Sequence, residues 1–269
     1  MKTFRHGTTT LHYADQGPYD GPAVLFANSL GTDLRIWEPL LPYLRPGLRI
    51  IRYDKRGHGL SDTLPAPYTM DELTDEAAAL LEHLSLQRVT VVGLSIGGMI
   101  AQNLAARPPD LVGALVLMDT AAKIGTVQMW HERIAAIRAH GIAALSQPIL
   151  ERWFAPEFHS TRPDELALWR NMLCRTSLEG YLGCCAAIAA ADLTAQTRAL
   201  RLPAIAMAGS ADGATPPELV QTTAGYLNAP FSLIDGAGHL PCVEAPQQVA
   251  ALINQFLAEH IQPAQHGLA

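Results

Sequence analysis

Residues 89–94 (Val-Thr-Val-Val-Gly-Leu) form a continuous apolar run that ends inside Gly93-Leu94-Ser95-Ile96-Gly97, after which the chain resumes with helical periodicity. A strand that is apolar at nearly every residue is buried on both faces, and that happens inside a parallel sheet covered by helices. The turn that follows must pass from strand to helix within a few residues. Glycine on either side of Ser95 leaves room for so close a backbone approach. This one stretch commits the chain to a layered α/β architecture.

The remaining pattern agrees. Strands are predicted over residues 23–28, 49–54, 89–94 and 114–119, with helices over 70–84 and 95–107, the second stopped by Pro108-Pro109. Strands alternating with helices imply a mostly parallel, doubly wound sheet with right-handed crossovers. After Ala121 the alternation ceases, and helices are predicted over 127–140, 142–154, 164–176 and 178–191 with no strand between them. Strands over 203–209 and 231–235 and a helix over 246–260 then restore it. The expected organisation is an α/β core of residues 1–121 and 196–262, an inserted helical lid of residues 122–195, and a frayed tail of residues 263–269. A lid inserted there sits over the carboxyl ends of the strands, where open α/β sheets bind ligands.

Composition narrows the class of partner. Of 269 residues, 49% are hydrophobic and 16% charged, enough apolar material for a large core and too little charge for a disordered chain. A net charge of -6 argues against nucleic acid, whose binding needs a basic surface. No run reaches the roughly 18 apolar residues of a membrane span, and Met1 to Asp20 contain no stretch like the core of a signal peptide. The expectation is a cytoplasmic protein acting on a small molecule, with no membrane or nucleic-acid partner. Cys174, Cys184, Cys185 and Cys242 are expected as buried, unpaired small hydrophobes, because adjacent cysteines suit neither a simple disulfide framework nor a zinc knuckle.

Ser95 is the candidate nucleophile, raised above the sheet at a helix N-terminus whose free N–H groups suit a developing oxyanion. A serine hydroxyl needs a base to take its proton. Where a G-x-S-x-G turn follows a strand, the order along the chain is serine, acid, histidine, which leaves His239, His260 and His266. His239 closes the glycine-rich segment Asp235-Gly236-Ala237-Gly238-His239 just after the last predicted strand; the other two fall at a helix end and in the tail. His58, in Arg56-Gly57-His58-Gly59, reads as structural. Asp212, in the loop after the strand over 203–209, is the favoured orienting acid, and Asp119 is the alternative; with Asp212 in that role, Asp119 caps the turn into the lid. The backbone N–H groups of Ile96 and Leu30, with Ser29 as a further candidate, are the expected oxyanion donors.

Several stretches resemble the 3-oxoadipate enol-lactonases of the α/β-hydrolase superfamily: residues 28–37 (Asn-Ser-Leu-Gly-Thr-Asp-Leu-Arg-Ile-Trp), residues 53–62 (Tyr-Asp-Lys-Arg-Gly-His-Gly-Leu-Ser-Asp), residues 93–102, residues 176–188 with Cys184 and Cys185, and residues 238–244. The resemblance runs from about Thr10 to His260. Many relatives carry His-Gly where this chain carries Asn28-Ser29. The resemblance implies the α/β-hydrolase fold with about eight strands, a Ser95–His239–Asp212 triad, and hydrolysis of 3-oxoadipate enol-lactone to 3-oxoadipate in bacterial aromatic degradation. It calls for no metal and no organic cofactor. The carboxylate of such a lactone needs a cation or donors, and Arg133 and Trp130 on the first lid helix are the candidates, ahead of Arg35 and Trp153. Two rivals remain open. One is another esterase, lactonase or carbon–carbon bond hydrolase on the same scaffold; the other is a ligand receptor without turnover.

Overall fold

The computed structural model describes residues 1–107 and 111–260. Pro108-Pro109, His266 and the tail lie outside the described residues. Eight strands form one sheet: β1 (Lys2–His6), β2 (Thr9–Gln16), β3 (Ala23–Ala27), β4 (Arg49–Tyr53), β5 (Val89–Leu94), β6 (Val112–Met118), β7 (Ala204–Gly209) and β8 (Phe231–Ile234). Their order is β1-β2-β4-β3-β5-β6-β7-β8; β2 is antiparallel to both β1 and β4, and every pairing from β4 onward through β8 is parallel. The doubly wound α/β expectation holds.

α1 (Met70–His83) and α2 (Ile96–Ala105) are the α-helices of the first half, beside two short 3-10 turns at Leu34–Trp37 and Leu41–Tyr43. α1 starts where its sequence says it should. Thr69 Oγ1 accepts the Glu72 N–H while the Glu72 carboxylate accepts the Thr69 N–H, a reciprocal cap that satisfies two helix-end donors. Leu73, Ala77, Leu80 and Leu81 carry its buried stripe. Between β6 and β7 come α3 (Val127–Ala144), α4 (Ser146–Trp153), α5 (Pro156–Thr161), α6 (Pro163–Cys174), α7 (Leu178–Ala190) and α8 (Thr194–Ala199). Gly141, at φ 78°, breaks the helical path of α3 at the position where two helices were expected to part. α9 (Pro217–Leu227), α10 (Pro241–Glu244) and α11 (Pro246–His260) complete the chain.

Three features escaped the sequence reading. The β1–β2 hairpin sits at the sheet edge and buries few large apolar side chains, chiefly Phe4, Leu11 and Tyr13, so its alternation is faint. α9 buries only Val220, Thr223 and Ala224, a stripe too polar to announce itself. The short α5, α8 and α10 are single turns or little more. The cysteines are all unpaired, but Cys174 is partly exposed whereas Cys184, Cys185 and Cys242 are buried. No helix among the described residues is long and apolar enough to cross a membrane.

β5, buried at every residue, lies near the middle of the sheet between β3 and β6. Gly93 is in register with both Ala27 and Leu117, so β3, β5 and β6 end level. The loops after β3, β4, β5, β6, β7 and β8 therefore meet at one end of the sheet, and Ser29, His58, Ser95, Asp119, Asp212 and His239 lie in them.

Candidate active site

Ser95 links β5 to α2 at φ 58° and ψ −121°, a conformation that costs a non-glycine residue strain and persists only when its surroundings enforce it. The enforcement is visible. The Ser95 N–H donates to the Met118 carbonyl (3.0 Å), and the Ser95 carbonyl accepts from Thr120 Oγ1 (2.6 Å) and from the N–H groups of Gly98 (2.9 Å) and Met99 (3.2 Å). A Cβ on Gly93 would lie 2.5 Å from the Gly98 Cα, and one on Gly97 would run into the Ala27 carbonyl. Both glycines are thus required by close backbone approach.

The imidazole of His239 comes from the loop after β8. Its N–H backbone donates to the Trp153 carbonyl (2.8 Å), which ties that loop to the end of α4. Nδ1 donates to Asp212 Oδ2 at 2.9 Å, with both side chains almost fully buried. The other Asp212 oxygen accepts the N–H groups of Ala214 (2.7 Å) and Thr215 (3.0 Å), so the carboxylate cannot swing away. His239 Nε2 faces the Ser29 hydroxyl at 3.5 Å. No hydrogen bond joins Nε2 to Ser95 Oγ among the described residues, although both residues line the same cavity. The histidine–acid link is made and the serine–histidine link is open, a common state of unliganded sites that tighten with substrate.

Asp119 does not cap the turn that follows it. It lies at φ 46°, completely buried, and its Oδ1 accepts the Gly209 N–H (2.9 Å) at the end of β7. Oδ2 has no donor within the chain among the described residues. The carboxyl atoms of Asp119 and Asp212 and a ring nitrogen of His239 all lie within 4.8 Å of one another. Burial first, and the negative Asp212 next, push the Asp119 carboxyl well above its ordinary range. Its carboxyl therefore holds a proton more readily than an exposed aspartate does. As metal ligands these groups are poorly disposed, because His239 and Asp212 already spend their facing atoms on each other.

The oxyanion loop follows β3. Thr32 Oγ1 donates to the Ser29 carbonyl (2.9 Å), and the Gly31 N–H donates to His58 Nε2 (3.0 Å). His58 is thus a neutral structural acceptor inside the loop that follows β4, and burial holds its pKa well below the usual value. The N–H groups of Ser29 and Leu30 have no acceptor among the described residues. Ile96 opens α2, where a first-turn N–H has no helical acceptor.

The cavity over Ser95 is walled by Ser29, Leu30, His239, Ile124, Ala214 and Thr215 from the sheet's loops, and by Met129, Trp130, Arg133, Arg152, Trp153, Tyr181 and Ile188 from α3, α4 and α7. The expected Trp130 and Arg133 are there. Trp130 Nε1 donates to the Ile124 carbonyl (2.7 Å), which sets its indole; the Arg133 guanidinium donates to Tyr181 Oη (2.8 Å) and lies 5.6 Å from the Trp130 ring. Arg35 is elsewhere, forked onto Asp33. The sequence reading missed Arg152. It binds the Gly213 carbonyl (2.9 Å), and burial and then the neighbouring Arg133 charge lower its pKa. Two arginines close enough to repel share one largely apolar chamber. The only signal for Arg152 was its place beside Trp153.

A model of the α/β-hydrolase fold family matches residues 22–246. The chain is 36% identical to 3-oxoadipate enol-lactonase 2 of Acinetobacter baylyi, covering 91% of this chain and 94% of that protein. It is 31% identical to 3-oxoadipate enol-lactonase 1 of the same organism over 96% of each. Among solved structures, an enol-lactonase from Burkholderia xenovorans LB400 superposes with a TM-score of 0.92 at 33% identity, covering 96% of this chain and 100% of that one.

Proposed function

This chain belongs to the α/β-hydrolase fold family and to the 3-oxoadipate enol-lactonase group within it, and on that premise we propose that it hydrolyses 3-oxoadipate enol-lactone through an acyl-enzyme on Ser95. The observation that carries the reading is the buried Asp212–His239 pair opening, with Ser95, onto a chamber that holds two arginines.

His239 takes the Ser95 proton as Oγ attacks the lactone carbonyl. The N–H groups of Leu30 and Ile96 hold the oxyanion, and Asp212 steadies the imidazolium. Collapse breaks the ring C–O bond and releases an enolate, which stays tethered to the acyl chain, takes the proton held by His239 and becomes the ketone, leaving the imidazole neutral. Water then gives a proton to His239 and attacks the ester; the ester bond to Ser95 breaks, Oγ recovers its proton, and the product leaves as the dicarboxylate. Net, one water is consumed and one carboxylic acid is formed. The substrate's own carboxylate pairs with Arg133 and Arg152 while Trp130 walls the ring. Residues 122–195 act as the lid that brings those groups over Ser95. No cofactor enters the scheme, and the place in metabolism is a late step of bacterial aromatic degradation.

The test is to generate the enol-lactone in the cuvette and follow its loss of absorbance. The wild-type protein should accelerate it, and Ser95→Ala should lose about a thousandfold or more of that rate, as expected when a triad member is removed. Near-normal turnover by the alanine variant would end this mechanism.

A further inference from the structure

Lys55 lies in the loop after β4 and is 1% exposed, yet it forms no ion pair among the described residues. Burying an ammonium without a carboxylate partner costs several kcal/mol, so the fold must hold it there through other contacts. Those contacts are two successive backbone carbonyls, Asn28 at 3.2 Å and Ser29 at 2.6 Å from Nζ. The peptide bonds that carry these carbonyls are trans. In a planar trans peptide the N–H points opposite to the C=O. Two carbonyls turned toward one ammonium therefore turn two N–H groups, those of Ser29 and Leu30, the other way. Successive N–H groups facing one side make an anion-binding concavity. These two N–H groups are without acceptors, and Ser29 and Leu30 line the chamber over Ser95.

We propose that Lys55 is the positioning residue of the oxyanion hole: its ammonium fixes the peptide planes on either side of Ser29 and stands behind them as the counter-charge to the oxyanion. The assignment rests on the acyl-enzyme reading above. It explains how a loop that begins Asn28-Ser29 can present its donors rigidly. It also supplies a buried positive charge one peptide layer from the negative charge that forms during reaction, where low dielectric makes such a charge most effective. Thr32 Oγ1 shares the Ser29 carbonyl but carries no charge.

The ionisation of Lys55 gives a readout that mere packing would not. Burial lowers its pKa to about 8, opposed by Cys184 on α7, by Asp54 beside it and by Asp33 beyond the oxyanion loop. His58, the other basic group near it, is held neutral by burial, and the Cys184 thiol is pushed up to about 12, so neither titrates between pH 7 and 10. The charged lysine is present below its pKa and lost above it, and a neutral donor bonds a carbonyl about half as strongly.

Labelling of Ser95 by an alkyl fluorophosphonate tests this without depending on the lactone, because the phosphoryl oxygen occupies the same hole. Lys55→Met should slow labelling by about tenfold to a hundredfold, somewhat less than outright loss of a donor, and should lower kcat for the lactone with KM nearly unchanged. Wild-type labelling should fall as pH rises past 8, while the Lys55→Met profile stays flat there. Thr32→Val should keep the wild-type alkaline fall. If wild-type protein takes no label at Ser95, the acyl-enzyme reading fails and Lys55 falls with it. Labelling of wild type together with equal labelling of Lys55→Met overturns the Lys55 assignment alone. Should Lys55→Met not fold, the wild-type profile decides, and a rate still flat at pH 9.5 overturns the proposal.

Discussion

At the scale of single residues, the two buried aspartates make opposite predictions from nearly the same place. The two carboxyl oxygens of Asp212 are held by His239 and by two backbone N–H groups. Asp212→Asn keeps the shape but presents the imidazole with an amide, and kcat should drop by about four orders of magnitude, the cost of orienting the wrong tautomer. Burial and then the neighbouring Asp212 raise the pKa of Asp119, and asparagine can still accept the Gly209 N–H through Oδ1. The positive φ of 46° at this site also suits asparagine. Asp119→Asn should therefore keep activity within about threefold of wild type, since an uncharged isostere replaces a carboxyl whose charged form burial disfavours. Steady-state kinetics on both variants checks the pair; loss of activity in Asp119→Asn equal to that in Asp212→Asn would make Asp119 the orienting carboxylate.

At the scale of elements, the helices between β6 and β7 line the chamber over Ser95. α3 brings Arg133 and Trp130 to the chamber, and α4 brings Arg152 and Trp153. Arg133→Met and Arg152→Met should each raise KM for the lactone by about tenfold, the loss of one charged hydrogen bond, with less effect on kcat. Unchanged KM in both variants would remove the carboxylate site. The chamber also depends on how α4 is tied to the histidine loop. Glu244, the last residue of α10, accepts the Ala155 N–H (3.0 Å) after α4 and the Gly238 N–H (2.7 Å) just before His239. Glu244→Ala leaves both N–H groups unmet and should cost about 1–3 kcal/mol, seen as a lower denaturation midpoint accompanied by reduced kcat.

At the scale of the whole molecule, the same Glu244 makes stability depend on pH. Burial raises its pKa from 4.5 to about 7, against the opposing pull of its two backbone donors. A carboxyl whose folded pKa is raised binds more protons folded than unfolded between those values. Its contribution is full below pH 4.5 and is lost as pH rises through about 7. Denaturant unfolding at pH 5 and pH 8 should show wild type losing more stability over that interval than Glu244→Gln, by on the order of 2 kcal/mol. Equal losses would mean that Glu244 is ionised throughout.

The sequence by itself determined the sheet's interior and the strand–turn–helix at Ser95, and it singled out His239 and favoured Asp212 over Asp119, because each follows from local rules. A doubly apolar run has few ways to be buried, glycine marks a close approach, and chain order chooses among histidines. It also marked the break at Gly141. Only the tertiary structure decided that Asp119 faces Asp212, that Arg152 joins Arg133, and that Lys55 reaches beneath the loop after β3. Each of these depends on which strands lie side by side. β4 pairs with β3 in parallel register, and that neighbour relation puts Lys55 under Ser29. The raised pKa of Asp119 and the lowered pKa of Lys55 are products of burial, and burial is a property of the assembled layers, which no local pattern of residues encodes.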